Sequence, residues 1–354
     1  MPPEPASPPN QSAEAQLRTI QLRYQLAAPT FKTLCAIPPR PDRRTILHTA
    51  CQATELRSLP MAPAEGAFFR HINNHLPITY PIASAAGPIK EPWHKAFLLC
   101  QLSLQCLDWP SKISAPVRKQ LLADKSRIYN LVERVLRCLV DILGLRLDGR
   151  GIVSALDVLR SIKSDLWEGT RDELLQIPGI GPAKQQRLLA AGVSSVRKLA
   201  GLEFYHIERL LSRNPPFGQN LLHQLAGFPL LTLQVDMIGQ LSVSLASSAS
   251  DAPSIPNSAN SVARILLGFE NKGIPLWKKK HPWTTLVIEG EDGRLVRFWR
   301  GSVKRLEGGK ELIVGLQARK DEQLSVSFAC EDIVGTMVRN TCKASSSPLL
   351  ETAA

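Results

Sequence analysis

The sequence has no G-x-x-x-x-G-K-[ST] phosphate loop and no D-E-x-H run, so it holds no residues for hydrolysing ATP. Its seven cysteines, Cys35, Cys51, Cys100, Cys106, Cys138, Cys330 and Cys342, form no C-x-x-C pair, and no histidine pair stands near them at zinc spacing. An odd, scattered set within apolar runs reads as buried free thiols in a reducing compartment. No uninterrupted apolar run reaches the roughly 18 residues of a membrane span, and the N-terminus, Met-Pro-Pro-Glu-Pro-Ala-Ser-Pro-Pro, is not a signal peptide. Aspartate is absent between Gly181 and Asp236, which removes the base a glycosylase needs soon after a hairpin of the kind described below. His281-Pro282 is followed by Trp283, so the H-P-D mark of a J-domain is missing too. No serine, cysteine or metal constellation suggests catalysis, and no small-molecule substrate is expected.

What is present is a basic chain of 354 residues with a net charge of +12 and 44% hydrophobic residues. That is enough apolar material for two or three cores and a charge balance that suits a polyanion.

The stretch that organises the rest is Ile177-Pro-Gly-Ile-Gly-Pro182. Two prolines without amides and two permissive glycines cannot continue a helix. Leu174 and Leu175 before it, and Leu188 and Leu189 after it, are helical in pattern, so the expected form is helix, tight hairpin, helix. Pro182 suits a first helical turn. The amides of Gly179, Gly181 and that turn then face outward at the positive end of a helix dipole, where a phosphate fits. Lys184 and Arg187, three apart, add charge beside it. The same corner can equally be a packing element that holds its neighbours together.

Residues 1–15, rich in proline and serine, are expected to be a disordered tail. Residues 16–170 read as a helical bundle, with helices over 92–107, 116–143 and 151–167 and short helices broken at Pro29. Residues 171–229 form the helix-hairpin-helix region, in which Ser194 caps a short helix and a second hairpin opens at Asn214-Pro-Pro216. At Leu230 the period changes to two. Residues 230–340 read as an immunoglobulin-like β-sandwich of six strands with a low-complexity loop at 246–260, and 341–354 as a loose tail. The fold class is thus α+β multidomain. Lys278, Lys279 and Lys280 lie between Trp277 and Trp283, which combines charge with aromatic surface for nucleic acid; the bland reading is a solvated loop anchored by one tryptophan. Arg294 and Arg300 should share one strand face and Arg297 the other, so they make no single patch. His94, His206 and His223 read as structural.

The order bundle, hairpin, sandwich resembles the Sec-sixty-three-type domain at the C-terminal end of certain superfamily-two helicases. The local sequence is most similar to the Mer-three family of meiotic crossover helicases. The resemblance rests on Arg137-Cys-Leu-Val-Asp141, on Ala155-Leu-Asp-Val-Leu159 through Trp167, on Leu210-Leu-Ser-Arg-Asn-Pro-Pro-Phe-Gly218 and on Gly227-Phe-Pro229, and it covers residues 17–340. It implies a part of an ATP-dependent 3′-to-5′ DNA helicase, nuclear, acting in meiotic recombination and crossover formation. It also implies DNA, single-stranded or branched, and meiotic recombination proteins as partners. The family's motor and winged helix lie upstream and have no counterpart here. ATP and magnesium are therefore implied for the parent helicase alone, with no cofactor in this chain. The hairpin residues Gly179, Gly181, Lys184 and Arg187 match a region that lies beside the emerging strand in related helicases. An interaction scaffold without DNA binding is the competing reading, and a protein-translocation component is disfavoured by the missing span, acidic tail and J-domain.

Overall fold

The computed structural model describes residues 13–83, 87–110, 113–240, 258–319 and 321–344. The expected tail before residue 13, most of the low-complexity loop and the stretch beyond 344 lie outside the described residues.

Among the described residues seven α-helices build the first core: α1 (Ala13–Tyr24), α2 (Ala28–Cys35), α3 (Arg43–Cys51), α4 (Gly66–His75), α5 (Pro92–Leu104), α6 (Ala115–Leu145) and α7 (Gly149–Ser164). Pro29 sits in the first turn of α2, so it starts that helix rather than breaking one. Asp42 caps α3 by accepting the Thr45 amide at 2.8 Å. The central helix is α5. Because ten of its thirteen residues are buried, its polar side chains must find partners inside. Lys95 lies 2.9 Å from Glu65 and 2.7 Å from Asp124. His94 accepts the amides of Lys90 and Glu91 at 3.1 Å, a structural role as expected. Across the bundle runs α6, about 46 Å long at the standard helical rise, burying Leu121, Ile128, Val132, Val135, Leu139 and Ile142 along one stripe.

After a 3₁₀ turn at Glu173–Gln176 come α8 (Pro182–Ala190), α9 (Val196–Ala200), α10 (Phe204–Leu211) and α11 (Phe217–Leu225). The hairpin's first flank is thus one 3₁₀ turn, shorter than the expected helix. Pro178 pushes Ile177 into extended backbone at ψ 122° and stops the helix early. Ser195 rather than Ser194 caps α9, accepting the Lys198 amide.

Among the described residues seven strands follow, in two antiparallel sheets. One has the order β1 (Leu231–Gln240), β2 (Ser258–Phe269), β5 (Lys310–Arg319); the other has β4 (Leu295–Ser302), β3 (Trp283–Glu289), β6 (Gln323–Cys330), β7 (Val338–Lys343). The sequence reading missed β7 and assigned part of it to a loose tail, because Val338-Arg-Asn-Thr-Cys-Lys343 is a polar edge strand. Ile265 and Leu267 of β2, Val314 and Leu316 of β5, Leu286 and Ile288 of β3 and Val326 and Phe328 of β6 join one buried cluster between the sheets.

Strand β3 is buried on both faces. Leu286 and Ile288 point to the cluster between the sheets, while Val287 belongs to the helical core, with Phe298 and Leu295 of β4 packed against it. The helical layer there is α7, joined to the sheet in two ways. Main chain meets main chain where the Leu295 amide donates to Leu147 O at 2.6 Å and the Arg150 amide to Gly293 O at 2.9 Å. A Cβ at Gly149 would come within 2.9 Å of Arg294 O, so the approach requires glycine. Beside this lies a buried ionic cluster. Arg160, 1% exposed, donates to Glu168 at 2.8 Å, to Asp157 and to Cys330 O. Arg43 reaches Asp157 at 2.6 Å, and Glu331, also buried, receives Arg137 of α6 at 3.1 Å and Arg300 of β4 at 2.6 Å.

Removing Arg160 would leave Glu168 without its guanidinium partner inside the protein. Arg160→Ala is expected to cost about 3–5 kcal/mol, read as a fall in the urea midpoint. Lys125→Ala, which breaks a half-exposed pair with Asp165, is expected to cost about 1 kcal/mol or less.

Candidate nucleic-acid interface

The hairpin turns on Gly179, whose φ of +87° only glycine adopts cheaply. Ile180 is buried and pins the turn to the core, and its amide closes the turn on Ile177 O at 3.1 Å. Pro178, Gly179, Gly181, Pro182 and Ala183 are exposed, with open space around both glycines. Among the described residues no backbone acceptor meets the amides of Gly179, Gly181, Ala183 or Lys184. They face solvent at the start of α8, the electropositive end.

The two cations expected to add charge beside this tip are tethered. Lys184 donates its ammonium to Gly179 O and lies 4.6 Å above the Phe217 ring. Arg187 donates to Leu211 O at 3.1 Å, capping the end of α10. Neither meets a carboxylate among the described residues, so both charges remain uncompensated. Burial first, and Arg213 second, hold the Lys184 ammonium below its ordinary pKa.

The lysine segment is a tight turn. The amides and carbonyls of Trp277 and Lys280 exchange two hydrogen bonds of 2.9 Å, with Lys278 and Lys279 at φ +47° and +64°. Trp277 is buried edge-on against Phe228, with ring centroids 5.2 Å apart, whereas Trp283 is half exposed. All three lysines are exposed. No hydrogen bond or ring contact among the described residues joins this turn to the hairpin tip, so the structure does not merge the two sets into one site. The arginines of β4 and the turn before it do not form a patch. Arg294 is held by Glu322 and, less strongly, by Asp292, which drive its pKa up against the effect of burial, and Arg300 is held by Glu331.

The family model of the Sec63 Brl domain matches residues 16–341. The chain belongs to the Sec63 Brl domain family. This Sec63 Brl domain is 23% identical over 298 residues to the ATP-dependent DNA helicase MER3 of Saccharomyces cerevisiae, covering 82% of this chain and 24% of that one. It is 23% identical over 327 residues to the probable ATP-dependent DNA helicase HFM1 of Mus musculus, covering 88% and 21%. With the ATP-dependent DNA helicase homolog MER3 of Arabidopsis thaliana it shares 21% over 292 residues, 79% and 23%. The domain spans less than a quarter of each relative's length. The resemblance to the Mer-three helicases drawn from the sequence holds over most of the chain. Among the described residues no helix is long and apolar enough to cross a membrane.

Two residues of the Sec63 Brl domain escaped the sequence reading. Arg213, in the exposed second loop beside Asn214-Pro-Pro216, lies close enough to Lys184 to repel it and makes no side-chain hydrogen bond or ion pair among the described residues. Its signal was its place inside the Leu210-to-Gly218 run. Glu173 sits where bundle, hairpin and sheet loop meet. It accepts the Val196 amide at 2.8 Å, and a Cβ on Gly335 would lie 2.2 Å from its carboxyl carbon. Its pKa is pushed up to about 7 by burial, with the charge of Glu168 adding and the Val196 amide opposing. No sequence signal marks it, since both neighbours arrive by folding.

A carboxyl raised in the folded state stays protonated there while the unfolded chain ionises. Its effect is therefore a loss of stability as pH rises from its ordinary 4.5 through about 7. Glu173→Gln is expected to flatten that fall, seen as a smaller drop in Tm between pH 5 and pH 8 than the native protein shows.

Proposed function

We propose that this protein is the nucleic-acid-binding and scaffolding portion of an ATP-dependent 3′-to-5′ DNA helicase that works in the nucleus in meiotic recombination and crossover formation. Its relatives are named as DNA helicases, and motor chemistry, with ATP and magnesium, belongs to the parent enzyme. We read the corner at 173–190 as a helix-hairpin-helix that grips the sugar-phosphate backbone without reading bases. The two sheets, ordered 1-2-5 and 4-3-6-7 around one core, we read as an immunoglobulin-like sandwich. The observation that carries the proposal is the exposed tip with outward amides and uncompensated cations, on a chain of net charge +12. Gly179, Gly181, Lys184 and Arg187 form the first contact set, and Lys278, Lys279 and Lys280 a second. Single-stranded or branched DNA is the expected ligand, and recombination proteins are the expected company.

A second reading, a protein scaffold with no intrinsic DNA affinity, is favoured by the tethering of Lys184 and Arg187 to backbone carbonyls. Binding to single-stranded and branched DNA across a salt series separates the two. Proline cannot take the φ of Gly179, so Gly179→Pro should destroy the tip. Lys184→Glu should weaken binding about tenfold and flatten the salt dependence by about one contact. Binding that survives both changes would refute the hairpin grip, and no binding at physiological salt would favour the scaffold.

A further inference from the structure

We propose that the segment from Trp277 to Trp283 is a platform for single-stranded nucleic acid, in which the lysine turn holds backbone phosphates and Trp283 stacks a base. This rests on the DNA-binding reading above and narrows it to one class of substrate at one place.

The turn is built in a way that folding alone does not explain. A two-residue turn with both central residues in left-handed backbone is the form that Asn-Gly fills at least cost. Here lysine occupies both places, at φ +47° and +64°. Left-handed backbone on residues with a full side chain is strained, and such strain gathers at working sites. Its base is firm. Trp277 is buried against Phe228, Pro282 is buried, and the ring of His281 lies 2.9 Å from Pro275 O. The three ammonium groups therefore leave a fixed stem. Among the described residues none of them makes a hydrogen bond or ion pair, and the sequence has no acidic residue between Glu270 and Glu289. Exposed, fixed and without counter-charge, the turn suits a chain of phosphates.

Trp283 supplies the second half. It begins β3, and by strand alternation it shares a face with Val287. Val287 is covered by the helical layer, but Trp283 stays 50% exposed. The Arg300 guanidinium lies 5.9 Å from the ring centroid, and Glu331 holds that arginine in turn. The indole thus rests against a fixed cation while half of it stays open. Lys280 and Trp283 are three positions apart, so their Cα atoms are at most about 11 Å apart. One strand can touch both. Stacking on an indole needs an unpaired base face, which a duplex keeps inside its own stack. Every base has such a face, so the contact tolerates sequence.

The test is fluorescence anisotropy of the whole chain with an oligothymidine of about 20 nucleotides and with a duplex of equal length, at several salt concentrations. Trp283→Ala is expected to weaken oligothymidine binding roughly tenfold, with duplex binding and the salt slope unchanged. Trp283→Phe should restore most of the loss. Replacing Lys278, Lys279 and Lys280 with glutamine should lower the slope by about two. Equal losses for both ligands after Trp283→Ala, or no loss at all, would overturn the platform. Displacement of the oligothymidine by polyglutamate at equal charge, with no sensitivity to Trp283, would assign the turn to an acidic peptide and also overturn it. If binding falls with Lys184→Glu but ignores Trp283→Ala, the hairpin reading stands and the platform fails. If neither ligand binds, both fail.

Discussion

Arg160 is almost wholly buried. It lies between the helical core and the four-stranded sheet, with Glu168 and Asp157 as its carboxylate partners and Cys330 O beyond. A buried cation of this kind is tolerable only while its acceptors are in place. One acceptor comes from the helix that carries it, one from the chain just beyond that helix, and one from the end of β6. All three elements must therefore be docked before the arginine is satisfied. The main-chain ties at Leu147 and Arg150 and the glycine contact at Gly149 set the same register. Charge and backbone geometry agree on one arrangement, the consistency expected of a specific fold.

That arrangement places the hairpin. The chain leaves α7 at Ser164, passes Glu168, already engaged with Arg160, and reaches Glu173 five residues later. Glu173 holds the Val196 amide on one side and packs against Gly335 on the other. Gln176 then donates to Val334 O at 3.0 Å. The loop after β6 is thereby a seat for the base of the hairpin, and the tip from Pro178 to Ala183 projects from a fixed mount. The Trp277–Trp283 segment has its own anchor on Phe228, three residues before β1. The two candidate contacts are held through different residues, which is why altering one need not move the other.

Much of this could be read in the chain beforehand. The stripe of α6 follows from apolar residues at helical spacing, and the break at Ile177–Pro182 from proline and glycine. The cap at Asp42 follows from its side chain. Other features depend on what arrives from far away. The tethers of Lys184 and Arg187 require Phe217 and Leu211 to be packed beside α8, and no local pattern says so. Strand β7 lacks the apolar alternation that marks a half-buried strand. Two lysines in left-handed backbone carry no turn signal, since the residues that announce such a turn are asparagine and glycine. Expected to be a solvated loop or a binding one, the segment is a fixed turn with one tryptophan in and one out.

The double burial of β3 bears on which substitutions it tolerates. Leu286 and Ile288 answer to one core and Val287 to the other, so neighbouring positions are constrained by two separate sets of residues. A change in Val153 or Leu156 of α7, which line the seam with Val287, constrains the strand without touching its other face. The four-stranded sheet is not an independent cassette, because its outer face is unfinished without the helices. A substitution on that face has to suit the helices and the sheet at once.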